Sequence, residues 1–176
     1  MHIPTPFPEL QTPRLQLREV QDTDRSMFYA LLTNPVVIAH FLAMHLQDEA
    51  DAQKVINMFR RVYAEGTALR WVICHEGKAI GFIGYHTYIK GHKGTIVYAL
   101  LPEYWGKGLA AEAITAVIQH GFQQMGLQRI DAEVLPGNTA SEKVLLKNGF
   151  EYEGLLKKWL QWGGAFYDVN MYGRVK

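Results

Sequence analysis

Leu100 to Ala111, read LLPEYWGKGLAA, carries the most chemically suggestive spacing in the chain. An apolar run stops at Pro102, and Gly106 and Gly108 follow just before an apolar-periodic stretch begins. Glycine removes the side chain that keeps a ligand off the main chain, so the amides around Gly106 and Gly108 can meet an anion directly. A helix starting at Leu109 points its positive dipole end and unpaired first-turn N–H groups toward the same anion. The spacing therefore predicts a phosphate cradle made by the amides of residues 105–110. A tight turn that uses glycine for steric reasons alone is the ordinary structural reading of the same residues.

Two other phosphate signatures fit less well. GKGLAA, from Gly106 to Ala111, matches the dinucleotide fingerprint GxGxxA, and Glu133 stands where a ribose-binding acid could be sought. That fingerprint follows its strand directly, whereas Pro102, Glu103, Tyr104 and Trp105 intervene here. A nucleotide P-loop fits less well still, because Lys107 is followed by Gly108 and not by a magnesium-binding Ser or Thr.

A second segment adds to the first. Ile130, Ala132 and Val134 alternate with Arg129, Asp131 and Glu133, the pattern of a strand with one buried face. PGNTASEKVLLKNGF follows, with Asn138 placed to start a helix and Asn148–Gly149 placed to stop it.

With both segments in view, the chain resembles the GNAT N-acetyltransferase superfamily, and within it the ribosomal-protein N-terminal alanine and serine acetyltransferases (RimJ/RimL-like). The phrases LPEYWGKGLA and GNTASEKVLLKNGF carry the likeness, and TPRLQLREV near the start matches the family's first strand. The superfamily motif is Gln or Arg, two residues, Gly, one residue, then Gly or Ala. It falls on Trp105, Gly108, Leu109 and Ala110, with Trp105 departing from it in the manner of the ribosomal-protein group. The resemblance implies an α/β fold of the α+β type: a mixed, mostly antiparallel sheet of about six to seven strands, splayed in the middle, with helices on both faces. It also implies one domain over residues 10–176, preceded by an N-terminal extension over residues 1–9.

The same resemblance implies acetyl-CoA as co-substrate and no metal. Its pyrophosphate is expected on the amides of Trp105, Gly106, Lys107, Gly108, Leu109 and Ala110, with Lys107 adding charge unless it is a solvated turn residue. Pantetheine is expected along the backbone of Ala99, Leu100 and Leu101, with Asn138 holding its arm. Ser141 stands where many relatives carry a tyrosine and is implied as the group serving the departing thiolate. Structurally, Asn138 is also a good N-cap, and Ser141 an ordinary first-turn residue.

Acetyl transfer to an amine needs a neutral amine, a polarised thioester carbonyl and a stabilised thiolate. Glu103, His86, Tyr98 or a water relay are candidates for the base, and the residues leave that choice open. The resemblance implies an acceptor site walled by the early helices and the last hairpin, here roughly residues 34–60 and 159–168. Trp159, Trp162, Phe166 and Tyr167 are aromatic there, and Asp168 is the acid that stands out in the hairpin. So few acids favour a protein α-amine or a small amine with an uncharged tail over a polycation.

The elements that must position these groups can be laid out coarsely. Residues 14–20 alternate as a strand, and Asp22 is expected to cap a helix bearing Met27, Phe28, Leu31 and Leu32. A loosely helical piece covers residues 36–41. Asp48 and Asp51 resemble a capping box for a helix with Ala52, Val55, Ile56, Phe59, Val62 and Tyr63 on one stripe, stopped by Gly66. Residues 69–75, 78–89 and 92–101 read as a meander of strands. A long helix begins at Leu109, with Ala113, Ile114, Val117, Ile118, Phe122 and Met125 on its apolar stripe. Further strands are expected at residues 129–135, 150–157 and 167–174.

Composition agrees with one domain: 176 residues, 48% hydrophobic, net charge +1. Interspersed acids and bases offer no basic face for nucleic acid. No segment approaches a membrane span, and MHIPTPFPEL lacks a signal core, so a cytoplasmic location is expected. Cys74 lies in the apolar run WVIC, where burial disfavours a thiolate nucleophile, and the seven histidines are scattered rather than spaced for a metal. Homodimers are common in the family that the chain resembles. Beside direct acetyl transfer in a ternary complex, two readings remain: a non-catalytic acyl-CoA-binding module, and a nicotinamide oxidoreductase.

Overall fold

Helix and strand follow the apolar periods closely enough that the core can be read from them. The computed structural model describes residues 6–42 and 44–176, so residues 1–5 of the expected extension, and Ala43 in the expected acceptor wall, lie outside the described residues. The strands are β1 (Leu10–Gln11), β2 (Leu15–Arg18), β3 (Leu69–His75), β4 (Lys78–Ile89), β5 (Lys93–Leu100), β6 (Arg129–Val134), β7 (Glu151–Trp162) and β8 (Ala165–Val175). The helices are α1 (Arg25–Thr33), α2 (Pro35–Ile38), α3 (Ala52–Ala64), α4 (Leu109–Gln123) and α5 (Thr139–Lys147).

One sheet of eight strands runs β1-β2-β3-β4-β5-β6-β8-β7. It exceeds the expected six to seven because β1 adds a two-residue edge strand. Every neighbouring pair is antiparallel except β5 and β6, which run parallel. That parallel pairing extends only from Lys93–Arg129 to Ile96–Ala132. Past those residues the strands part, and the expected splay opens in the middle of the sheet.

Helices cover both faces. On one side α4 lays Leu109, Ala113, Ile114, Val117 and Ile118 against Trp71, Ile83, Tyr85, Ile96 and Ile130. On the other, α1 and α3 bring Phe28, Leu31, Val55, Ile56 and Phe59 onto Val72, Cys74 and Phe82. Alternate residues of β3 thus face opposite layers, as strand pleating requires. A bulge opposite Ile73–Cys74 inserts Ile80 and places it on the same side as Ile83. Tyr85 passes under α4 and donates its hydroxyl to Val117 O at 2.9 Å. Gly121 permits this, since a Cβ there would lie 2.1 Å from the Tyr85 oxygen.

Two local expectations change. Asp22 does not cap α1; it opens a 3₁₀ turn, Asp22–Asp24, and pairs with Arg60 across to α3 at 2.9 Å. Asp24 has the closing role instead: it is the buried acid of the turn, accepting from Gln21 N at 2.7 Å and pairing with Arg18 of β2 at 2.7 Å. The last hairpin is longer than expected, and within the expected extension Phe7 packs on Tyr63 and Trp71 while Pro8 O accepts the Trp71 indole at 2.6 Å.

Candidate active site

The glycine turn sits where β5 hands over to α4. Pro102–Tyr104 form a single 3₁₀ turn, Trp105 is extended, and Gly106 and Gly108 take φ of 73° and 77°. Those left-handed angles select glycine. A Cβ on Gly106 would meet nothing within 4 Å, so the turn opens on free space rather than on packed chain. Gly108 is the N-cap of the 15-residue α4 and supplies no side-chain cap, which leaves the first-turn amides to a ligand. These features fit the diphosphate of a coenzyme.

Neighbouring side chains hold the turn in shape. Trp105 is 42% exposed, yet its indole donates to Leu100 O at 2.7 Å and closes the loop. That N–H is therefore engaged within the chain, and only the main chain of Trp105 is offered to a phosphate. Arg14 reaches over from the β1–β2 connection, donating to Lys107 O at 3.0 Å and pairing with Glu112 at 2.7 Å. The Lys107 ammonium stands 5.3 Å from the Tyr104 ring, a cation–π arrangement.

Two cavities meet at the splay. One, of about 440 Å³, runs from Gly106, Gly108 and Ala110 along Ala99 and Leu100 to the start of α5. The other, of about 420 Å³, lies between the open ends of β5 and β6, α3 and the β7–β8 tip. His40, Phe41, Tyr98, Asn138 and Ser141 line both and form the neck between them. Leu101 and Lys107 line neither; the Leu101 amide donates to Ile80 O at 2.9 Å.

The neck holds a hydroxyl pair. Ser141 Oγ and Tyr98 Oη are 2.6 Å apart, so a tyrosine does reach the Ser141 position, from β5 and not from α5. Burial pushes the Tyr98 hydroxyl up to about 12, and the bond to Ser141 only partly offsets this. Tyr98 is consequently a proton holder at neutral pH and unsuited to act as the base. Asn138 accepts from Ser141 N at 3.1 Å, capping α5 while facing the neck, so its structural and functional readings coincide.

Of the other candidate bases, Glu103 is exposed and lines neither cavity. His86 lines the second cavity, and burial lowers its pKa, with Glu133 raising it and Arg70 lowering it. Its imidazole is neutral near pH 7 and able to accept a proton. Glu133 also lines that cavity and takes the Trp159 indole at 2.8 Å. This places it away from the glycine turn and removes the ribose-binding partner that a nicotinamide reading needs.

The hairpin reaches the cavity through a bulge. Between Leu156–Val169 and Leu160–Tyr167 the register shifts, Lys158 adopts φ of 51°, and Asp168 accepts its amide at 2.7 Å. The bend carries Leu160, Gln161 and Trp162 into the wall, while Phe166 and Tyr167 stay outside it. Asp168 is thus a hairpin residue. Residues that sequence patterns did not single out are His40, Phe41 and Arg70; a lone arginine in the apolar run LRWVICH was the available signal. Among the described residues, no group of three His, Cys, Asp or Glu side chains is placed to hold a metal, and no helix is long and apolar enough to cross a membrane.

Comparison with known proteins gives the family. Residues 14–151 match the acetyltransferase (GNAT) domain family. The chain is 36% identical over 173 residues to the uncharacterized N-acetyltransferase YoaA of Bacillus subtilis, covering 97% of this chain and 98% of that protein. It is 31% identical over 131 residues to the ribosomal-protein-serine acetyltransferase of Escherichia coli, covering 74% and 73%. Its fold superposes on RimL, an α-N-protein acetyltransferase of a ribosomal protein solved with coenzyme A, with a TM-score of 0.80, 20% identity and coverage of 93% and 95%. A phosphate-ready turn, a hydroxyl-lined neck and a second cavity beyond it thus sit on a sequence matched over most of its length: the chain belongs to the GNAT acetyltransferase family.

Proposed function

We propose that this chain transfers an acetyl group from acetyl-CoA to the α-amine of a protein N-terminus, by direct transfer in a ternary complex, in the cytoplasm. A small-molecule amine is the second acceptor class. The observation that carries the reading is the pair of cavities joined at Tyr98 and Ser141. One cavity suits the donor, the other the acceptor, and the neck suits the bond exchanged between them.

Acetyl-CoA supplies the acyl group as a thioester. The amides of Trp105, Gly106, Gly108, Leu109 and Ala110 hold its diphosphate, and Ala99, Leu100 and Asn138 guide the arm toward the neck. His86, neutral through burial, takes the proton of the incoming ammonium directly or through water. Ser141, backed by the Tyr98 hydroxyl, donates to the sulfur as it leaves. The C–N bond forms as the C–S bond breaks; the nitrogen loses two protons, one to His86 and one that replaces the proton Ser141 gives to sulfur, and no enzyme-bound acyl group is needed. Cys74 is buried with its pKa raised by desolvation, which keeps it a thiol.

The test is CoA release on mixing the protein and acetyl-CoA with peptides bearing free or blocked N-termini. Release with free termini alone is the expected result. Tight acetyl-CoA binding without release across peptides and small amines would favour a non-catalytic module.

A further inference from the structure

We propose that the acceptor carries an oxyanion, a carboxylate or phosphate a few bonds from its reactive nitrogen, and that Arg70 seats it in the second cavity. The inference rests on the transferase reading and names the acceptor chemistry within it. Arg70 stands on β3 with its guanidinium 5.1 Å from the Phe59 ring and Nη1 3.4 Å from Met58 Sδ. Its Nε is buried and has no hydrogen-bond partner among the described residues, so the proposed oxyanion is to be met by the Nη groups of the fork. Arg14, Arg18, Arg60, Arg61 and Arg129 each pair with a carboxylate, while Arg70, which lines the cavity, has a thioether and an aromatic face instead.

A guanidinium in such surroundings is costly unless an anion completes it. Its planar fork matches a carboxylate or phosphate in a bidentate pair. Burial lowers its pKa, the direction expected of a desolvated cation. Glu133, on β6, gives the cavity its opposite pole, and His86 feels both charges. Ammonium is drawn toward Glu133 and the neck, and the oxyanion toward Arg70 beside α3. The two poles orient the nitrogen toward the thioester.

The test uses matched α-amine peptides in which a neighbouring side chain is a carboxylate, a phosphate monoester or the uncharged amide. CoA release is measured beside binding to the CoA-loaded protein, read by tryptophan fluorescence. The wild type should favour an acidic form at least ~10-fold in kcat/KM, mostly through KM. Arg70→Met, which keeps the apolar packing, should bring the ratio near one while leaving the acetyl-CoA KM and the melting temperature close to wild type. Arg70→Lys should restore part of the preference. Equal use of acidic and amide forms by the wild type, or a preference that survives Arg70→Met, overturns the inference and leaves the transferase reading standing. Selective, Arg70-dependent binding of acidic forms without release supports the anion seat and overturns the transferase reading. Preference between carboxylate and phosphate identifies the source of the oxyanion.

Discussion

The glycine-turn cradle and the second cavity, proposed as the donor and acceptor sites, are built by opposite means. The cradle is one contiguous segment, Leu100 to Ala111, offering mainly backbone amides in a shape set by two left-handed glycines. The second cavity is assembled from side chains on α3, β3, β4, β5, β6 and the β7–β8 tip, drawn from segments spread between Leu32 and Trp162. A main-chain site tolerates side-chain variation but not a change of φ. A side-chain site tolerates neither loss of a group nor a shift in the strands that carry it. Chemistry common to every acetyl-CoA user can be fixed in the backbone, whereas on the proposed reading the choice of amine is left to replaceable groups such as Arg70 and Trp162.

The sharpest way to break this contrast is at Gly108. In Gly108→Val the new Cβ has room in the protein, its nearest neighbour being Arg14 Nη2 at 3.5 Å, but φ of 77° is strained for a β-branched residue. Losing two charge-assisted amide–phosphate bonds at about 1.5–3 kcal/mol each corresponds to ~100-fold or more in affinity. The acetyl-CoA KM should rise by that amount with the acceptor KM little changed. An unaltered acetyl-CoA KM in a folded variant would show that the turn does not hold the diphosphate.

The neck should respond less strongly, and in kcat. Ser141→Ala is expected to lower kcat by ~100-fold, at the low end for a positioned proton donor. Tyr98→Phe should cost less, and the double variant should be no worse than about the stronger single one, because the 2.6 Å pair acts as a unit. Additive losses would mean that the hydroxyls work separately. A Ser141→Ala enzyme with normal turnover would move the thiolate role elsewhere.

This division also explains what the sequence made legible. The cradle lies in one stretch where a proline, two glycines and an apolar helix stripe each have a local physical meaning, and Asn138 is legible as a cap for the same reason. The acceptor side depends on non-local events: where β5 parts from β6 after Ile96, and how the bulge at Lys158 swings Trp162 inward. Periodicity does not mark either event. Tyr98 and Ser141 were each visible as candidates, but their pairing required β5 and α5 to converge. Glu103 lay beside the motif in sequence and outside both cavities in space, which shows that adjacency to a motif is weak ground for a catalytic role.

The smallest effects belong to the titrating groups, and they distinguish the cavity from the surrounding core. His86 and His120 both have pKa values lowered below 6.5 by burial, but only His86 lines the acceptor cavity, whereas His120 packs edge-on against Trp71 at 5.4 Å. For each, the unfolded chain binds the proton more tightly than the folded one. The stability they contribute is present above pH 6.5 and is lost as pH falls through the lower folded value. The kcat profile should therefore hold its plateau to below pH 6.5 and then fall in acid. His86→Gln should remove that limb and lower the plateau by ~10-fold, while the His120 contribution to acid unfolding persists. Arg70→Met should move the limb to higher pH, since a charge that lowers the His86 pKa is gone while Glu133, which raises it, remains. A limb that stays in place in both variants would assign the proton to water and leave His86 as a wall of the cavity.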